Sequence, residues 1–146
     1  MLLSGGGLFR ASWQHGLMEK IAWVVIRDGR MLVARNQGRE KFYLPGGGQE
    51  PGETDAQTLA REIAEELTAV IVASTMRHVA TVTADRDGAA GTVHMTCYAA
   101  DHHGELVPAS EIAEIAWVTG ADFDRVSPAE QQVIAILLAI GQLRSS

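Results

Sequence analysis

"REKFYLPGGGQEPGETDAQTLAREIAEEL", residues 39–67, sets two clusters of glycine and proline ahead of a helix-forming run. The stretch 42–44 reads as a short strand that stops at Pro45. "PGGG" and "EPGE" then hold the chain in a loop, because glycine takes backbone shapes that other residues resist. Residues 55–67 carry the marks of a helix. Thr54 and Gln57 have capping-box spacing, and Asp55 suits the positive end of a helix dipole. At about 100° per residue, Ala56, Leu59, Ala60, Ile63 and Leu67 fall on one stripe. Glu62, Glu65 and Glu66 fall on another, at i, i+3 and i+4. Like charges so spaced cost a few tenths of a kcal/mol per pair. A solvated face tolerates that penalty, and a cation would remove it.

Outward from this segment the pattern is mostly strand. "IAWVVI" (21–26) and "MLVAR" (31–35) flank the Asp-Gly turn signal of "RDGR", which predicts a hairpin over 20–36. Residues 70–84 and 92–100 are rich in β-branched side chains and flank "DRDGAAG", which predicts a second, longer hairpin. "IAWV" (115–118) is another short strand. From Pro128, "PAEQQVIAILLAIGQL" has a broad apolar face at helical spacing, with proline near its first turn. The order β-β-β-α-β-β-β-α predicts an α+β fold with a helix on each side of mixed β-structure.

The chain has 146 residues, enough for one core. Its formal charge of −6 argues against non-specific nucleic-acid or membrane binding, since both favour a basic face. Cys97 is the only cysteine, which excludes an intrachain disulfide, and its strand-like surroundings predict a packed thiol. No apolar run is long enough for a membrane span, and residues 1–17 lack the pattern of a signal peptide, so a cytoplasmic protein is expected. Residues 1–17 read as an N-terminal extension of unassigned role and 18–146 as the domain.

At one segment the residues match a family signature. From Gly47 the chain runs five residues to Glu53, seven more to Arg61, then Arg61-Glu62-Ile63-Ala64-Glu65-Glu66. This closely resembles the box of the Nudix hydrolases, G-x5-E-x7-R-E-U-x-E-E-x-G-U, where U is a bulky aliphatic residue. The order of elements over about residues 19–143 resembles the Nudix fold as well, a mixed β-sheet sandwiched between α-helices. The resemblance implies a hydrolase that splits a nucleoside diphosphate linked to a group X. Mg²⁺, with Mn²⁺ able to substitute, would offset phosphate charge and activate water. Matched position by position, Glu62, Glu65 and Glu66 are the expected metal ligands, joined by the backbone carbonyl of Gly46. Glu53 and Arg61 are expected to orient the ligand helix. The general base is a box glutamate or a carboxylate from a later loop. Glu111 is preferred over Glu114 because it stands six residues before Trp117, a spacing found in MutT-like members.

Two positions depart from the box. Thr68 replaces a glycine and Ala69 a bulky aliphatic. A β-branched residue resists the left-handed conformation that glycine adopts at a helix end. The helix is therefore expected to end differently or to run on by a residue, with Val70 supplying the missing aliphatic. Gly47, Phe42 and Tyr43 are candidates for substrate contact; aromatic faces stack on bases, and one of the two aromatics should face the core. His78 and His94 read as strand residues, and His102-His103 as part of a turn. Downstream marks of the ADP-ribose, dinucleoside-polyphosphate, NADH and coenzyme A subfamilies are missing. The expected partner is a small nucleotide-type substrate, without nucleic acid or membrane, and a homodimer is left open. Alternatives are a nucleotide-sugar or other nucleoside diphosphate hydrolase, and a catalytically silent Nudix-fold sensor.

Overall fold

The computed structural model describes residues 13–14 and 16–146. Most of the proposed extension 1–17 lies outside the described residues. Among the described residues, ten strands and two α-helices follow in the order β1 (Trp13–Gln14), β2 (Leu17–Trp23), β3 (Ile26–Arg27), β4 (Arg30–Asn36), β5 (Gly46–Gly48), α1 (Asp55–Leu67), β6 (Val70–Ile71), β7 (Arg77–Asp85), β8 (Thr92–Ala99), β9 (His102–His103), β10 (Ile112–Val118) and α2 (Pro128–Ala139).

Strands β1-β2-β8-β7 form the main sheet, with β5 also paired to β2. The β2–β8 pair is parallel and the other pairs of this sheet are antiparallel, so the sheet is mixed. A smaller antiparallel sheet runs β10-β4-β3, and β6 pairs with β9. Alternation along β2 and β4 divides the core in two. Ala22, Met31 and Val33 pack in a cluster with Val133, Ile134 and Leu137 of α2. Ile21, Trp23 and Leu32 pack in another with Leu59, Ile63 and Leu67 of α1. The strands thus lie between the two helices, as the α+β reading expected. Full burial of each large aliphatic in α1 stabilises by roughly 1.5–3 kcal/mol.

Three expected elements differ. The hairpin over 20–36 shrinks to β3 and the start of β4, joined at Asp28 and Gly29, whose φ values of 53° and 74° suit a tight two-residue turn. β2 instead joins the other sheet. Residues 42–44 are not a strand: Phe42 and Tyr43 form only isolated bridges, to Val126 and Ala34. The pairing strand lies inside the glycine run, where Gly46, Gly47 and Gly48 meet Ala22, Ile21 and Lys20. A Cβ at Gly46 would stand 2.1 Å from the Ile21 carbonyl oxygen, so only glycine permits this approach. The run 70–84 breaks into β6, a 3-10 turn at Ala73–Thr75, and β7. His102 and His103 pair with Ile71 and Val70 rather than turning. His78 and His94 are strand residues as expected, bonded to Thr81 and Thr83.

Helix α1 begins with the expected capping box. Gln57 N–H donates to Thr54 Oγ1 at 3.1 Å, and Thr54 N–H to Gln57 Oε1 at 2.9 Å. Its end corrects the sequence reading. The helix stops at Leu67, and Thr68 takes the left-handed conformation (φ 57°, ψ 21°) despite its β-branch. Val70 does not replace the missing aliphatic, being 61% exposed; Ala69 itself is buried. Residues beyond the helix compensate for its last carbonyls: Val107 N–H donates to Leu67 O at 3.0 Å and Ala109 N–H to Glu66 O at 2.9 Å. These bonds fix the chain reversal, which places strain at Thr68. They also tie the end of α1 to the loop that carries Glu111.

Candidate active site

A cleft of about 360 Å³ opens where β2, β5, α1 and the loop before β10 meet. Gly46, Gly47, Gly48, Glu62, Glu66, Glu111 and Tyr43 all line it. Glu66 reaches it from the face of α1 turned toward β5, and its Oε1 accepts from Gly46 N–H at 3.1 Å. It is 8% exposed, and burial pushes its carboxyl up to about 7, offset in part by the Lys20 charge and the Gly46 bond. Glu62 is raised as well, again by burial and against the pull of Arg61. A Cβ at Gly47 would fall 2.4 Å from Glu62 Cδ, so the glycine backbone rests directly against this carboxylate.

Behind these groups lies a rigid ionic frame. Arg61 Nε donates to Glu53 Oε2 at 2.6 Å, and its Nη2 to Glu53 Oε1 at 2.9 Å and Gly48 O at 3.1 Å. Thr58 Oγ1 and Glu50 N–H add two more bonds to Glu53 Oε1, each 2.9 Å. The guanidinium holds Glu53 down to about 2, and Arg61 is raised in turn. Arg61 Nη1 also stands 2.8 Å from Glu62 Oε2 and 3.8 Å from Glu65 Oε1. The pair therefore braces both the glycine strand and Glu62.

The remaining candidates separate. Glu65 is 58% exposed and does not line the cleft; its carboxylate sits at the rim, beside the Arg61 nitrogen that Glu62 also meets. Glu111 faces the cleft and is held below the usual carboxylate range by the Ser110 hydroxyl, which donates at 2.5 Å. Glu114 is bonded to Arg35 instead. Phe42 is not a substrate contact: it is buried in the core cluster, with Arg125 against its ring. Tyr43, the next residue, points the other way into the cleft, its hydroxyl 3.3 Å from Asp87 Oδ2. Buried Cys97 is a packed thiol, pushed up to about 12 by burial.

Several residues of the site escape a reading by motif. Thr58 serves Glu53; Tyr98 donates from β8 to Asp55, the first residue of α1. Lys20 and Glu130 meet under the glycine run from β2 and α2. None belongs to a spacing pattern: Thr58 acts on Glu53 five residues away, and the others act through partners distant in sequence.

Carboxylates of this kind suit a hard divalent cation. Glu62 and Glu66 share a cleft with Glu111, and burial first, then the Glu111 charge, pushes both carboxyls up. The Arg61 nitrogen between Glu62 and Glu65 shows a positive group already seated where two carboxylates meet. Among the described residues no three acidic, histidine or cysteine side chains form a finished shell by themselves. Glu62 and Glu66 would supply only part of an ion's shell, and an ion such as Mg²⁺ would take water or phosphate oxygens for the rest.

The NUDIX domain family model matches residues 19–137. The chain is similar to the solution structure of the E. coli ORF135 protein, with 26% identity, a TM-score of 0.68, and coverage of 86% of this chain and 91% of that one. It shares the fold of a MutT NUDIX hydrolase from Burkholderia pseudomallei (18% identity, TM-score 0.69, coverage 83% and 98%). A UDP-X diphosphatase has the fold too (18% identity, TM-score 0.59, coverage 87% and 64%). No curated protein sequence matches the chain. Among the described residues no helix is long and apolar enough to cross a membrane.

Proposed function

The chain belongs to the NUDIX domain family and is a hydrolase acting on phosphoanhydride bonds; from that premise we propose that it is a Mg²⁺-dependent pyrophosphohydrolase of a nucleoside triphosphate or similar nucleotide. The observation that carries the reading is the seating of the β5 glycines against Glu62 and Glu66, with the Glu53–Arg61 pair bracing them from behind. Glu62, Glu66 and the Gly46 carbonyl are the residues that would hold the ion, and Glu65, exposed outside the cleft, would turn inward to join them. When bound, a divalent ion offsets the charge of the phosphate oxygens and lowers the pKa of water.

The chain's own groups do the rest. Gly47, lacking a side chain, lets the glycine strand lie directly against the Glu62 carboxylate. Glu53 and Arg61 fix Glu62 in place, so the charge of the site is set before the substrate arrives. Tyr43 offers a ring to the nucleoside. Glu111, an ionised carboxylate at the cleft that the Ser110 hydroxyl holds below its ordinary range, accepts a proton as water attacks phosphorus. The bond between that phosphorus and the bridging oxygen breaks, and the oxygen leaves with the departing phosphoryl group.

The test is a panel of ribo- and deoxynucleoside triphosphates and nucleotide sugars, assayed for phosphate or pyrophosphate release with Mg²⁺ and with a chelator. Release from at least one compound that depends on Mg²⁺ is the expected result. Binding without turnover across the panel would favour a silent sensor, and release indifferent to the chelator would refute the metal-dependent chemistry.

A further inference from the structure

We propose that Lys20 binds a phosphate oxygen of the substrate, at the phosphate nearest the nucleoside. The proposal rests on the nucleotide-hydrolase reading above and adds a residue to it that lies outside the Nudix box.

Lys20 is an unusual choice for its position. Its strand, β2, places Met18, Lys20 and Ala22 on one face, and β8 sets Val93 opposite Met18 and Met95 opposite Lys20. Met18, Lys20, Val93 and Met95 all line the cleft. An ammonium therefore rises from an otherwise apolar floor, with a side chain 12% exposed. Removing a charge from water costs several kcal/mol unless partners compensate.

The compensation within the protein is incomplete. An ammonium has three N–H donors. One reaches Leu44 O at 2.9 Å. Glu130 Oε2 stands 3.8 Å away, an ion pair beyond hydrogen-bond length. That carboxylate, 1% exposed, is already engaged: Leu44 N–H donates to Oε2 at 2.9 Å and Ser127 Oγ to Oε1 at 2.5 Å. Glu130, the Leu44 carbonyl and the Tyr43 ring, whose centroid lies 5.5 Å from Nζ, anchor the ammonium, and among the described residues only the Leu44 carbonyl takes a hydrogen bond from it. Two donors remain for whatever enters the cleft. The structural task, holding Leu44 ahead of the glycine run, needs one donor and no net charge.

Position along the strand selects the ligand. Ala22 pairs with Gly46, whose N–H holds Glu66, and Lys20 pairs with Gly48. Same-face neighbours on a strand are roughly 6.8 Å apart. Lys20 therefore stands one step from the carboxylate end of the cleft, and Met18 one step further on. A nucleotide with its base on the Met18–Val93 floor near Tyr43 and its diphosphate toward Glu62 and Glu66 must cross Lys20. A phosphate oxygen is the anionic acceptor that the free donors require.

The chain contains only two lysines, Lys20 and Lys41, which allows a test on the unaltered protein. Lys41 does not line the cleft; its Nζ donates to Asp124 O. Lysine acetylation is followed by peptide mass spectrometry with Mg²⁺ alone and with Mg²⁺ plus α,β-methylene analogues of ATP, GTP, CTP and UTP. The analogue that binds should slow acetylation of Lys20 and leave Lys41 unchanged. By calorimetry, Lys20→Met should weaken binding of that analogue about tenfold to a hundredfold, the scale of a charge-assisted hydrogen bond. Lys20→Arg should recover most of the affinity. If the wild type binds an analogue while Lys20 is acetylated as fast as before, or if Lys20→Met binds as tightly, this proposal alone is overturned. If the wild type binds none of the four, it falls together with the nucleotide-hydrolase reading.

Discussion

Replacing Gly47 with alanine isolates the contact between the glycine strand and Glu62. The added Cβ would lie 2.4 Å from Glu62 Cδ and 2.6 Å from each carboxylate oxygen, whereas ordinary contact begins near 3.4 Å. The carboxylate must retreat by about 1 Å, and misplacement on that scale can lower catalysis about a hundredfold. Stability should change little, within about 1 kcal/mol. The clash involves the far end of a flexible side chain, and alanine lowers the entropy of the unfolded chain. Gly46→Ala supplies the contrast. There the Cβ would strike the Ile21 backbone at 2.1 Å, at a φ of +140° that disfavours any side chain. That variant should lose stability first and activity as a consequence. Urea unfolding and Mg²⁺-dependent kcat/KM on the substrate found in the panel separate the two outcomes. A Gly47→Ala protein with wild-type turnover would refute the claim that the position of Glu62 governs the chemistry.

Glu66→Gln preserves side-chain size but removes the buried charge, and should lower hydrolysis by about two orders of magnitude or more without unfolding the chain; near wild-type turnover would remove Glu66 from the site. Divalent metal should raise the melting temperature of the wild type and not that of a Glu62→Gln/Glu66→Gln double variant, since binding favours the folded state only where the ligands exist; equal shifts in both would place the ion elsewhere. Glu53, at about 2 in the fold against an ordinary 4.5, contributes stability that is present above pH 4.5 and lost as pH falls toward 2. Glu53→Gln should therefore destabilise by about 2–3 kcal/mol at pH 7 and by roughly half as much at pH 3, and a pH-independent difference in urea titrations would contradict that linkage. Thr68→Gly should stabilise by about 0.5–1 kcal/mol, because it relieves a left-handed β-branched residue more than it loosens the unfolded chain; a fall in melting temperature would show that the Thr68 side chain has a structural task.

The acidic helix was legible because its pattern is local. Capping residues, an apolar stripe and three glutamates lie within 14 positions, and a helix of known pitch converts those positions into faces. The strands were harder to assign. "IAWVVI" is buried on both sides, Ile21 and Trp23 toward α1 and Ala22 and Val24 toward α2, so no alternation reveals which strand it joins. The glycine run suggested only a loop, since glycine marks conformational freedom and carries no sign of a pairing partner. Thr68 misled for a related reason. Its propensity opposed the left-handed turn, while the bonds from Val107 and Ala109 that impose it come from about 40 residues away.

The same distinction explains why Lys20 was invisible in the sequence and Glu66 was not. Glu66 belongs to a spacing, and its chemistry follows from its neighbours on one helix. Lys20 lies in a strand between Glu19 and Ile21 like any solvated lysine, and Glu130 sits in a first helical turn where an acid is ordinary. Only the packing of α2 beneath β2 brings them together, buries the carboxylate and leaves the ammonium with donors to spare. A box can thus specify the groups that handle phosphate charge in general. Residues such as Lys20 and Tyr43, which line the cleft from outside the box, sit on elements whose approach is set by the core. Substrate preference should therefore vary with the core-facing register of β2 and of the turn before β5, while the glutamate pattern of α1 stays the same.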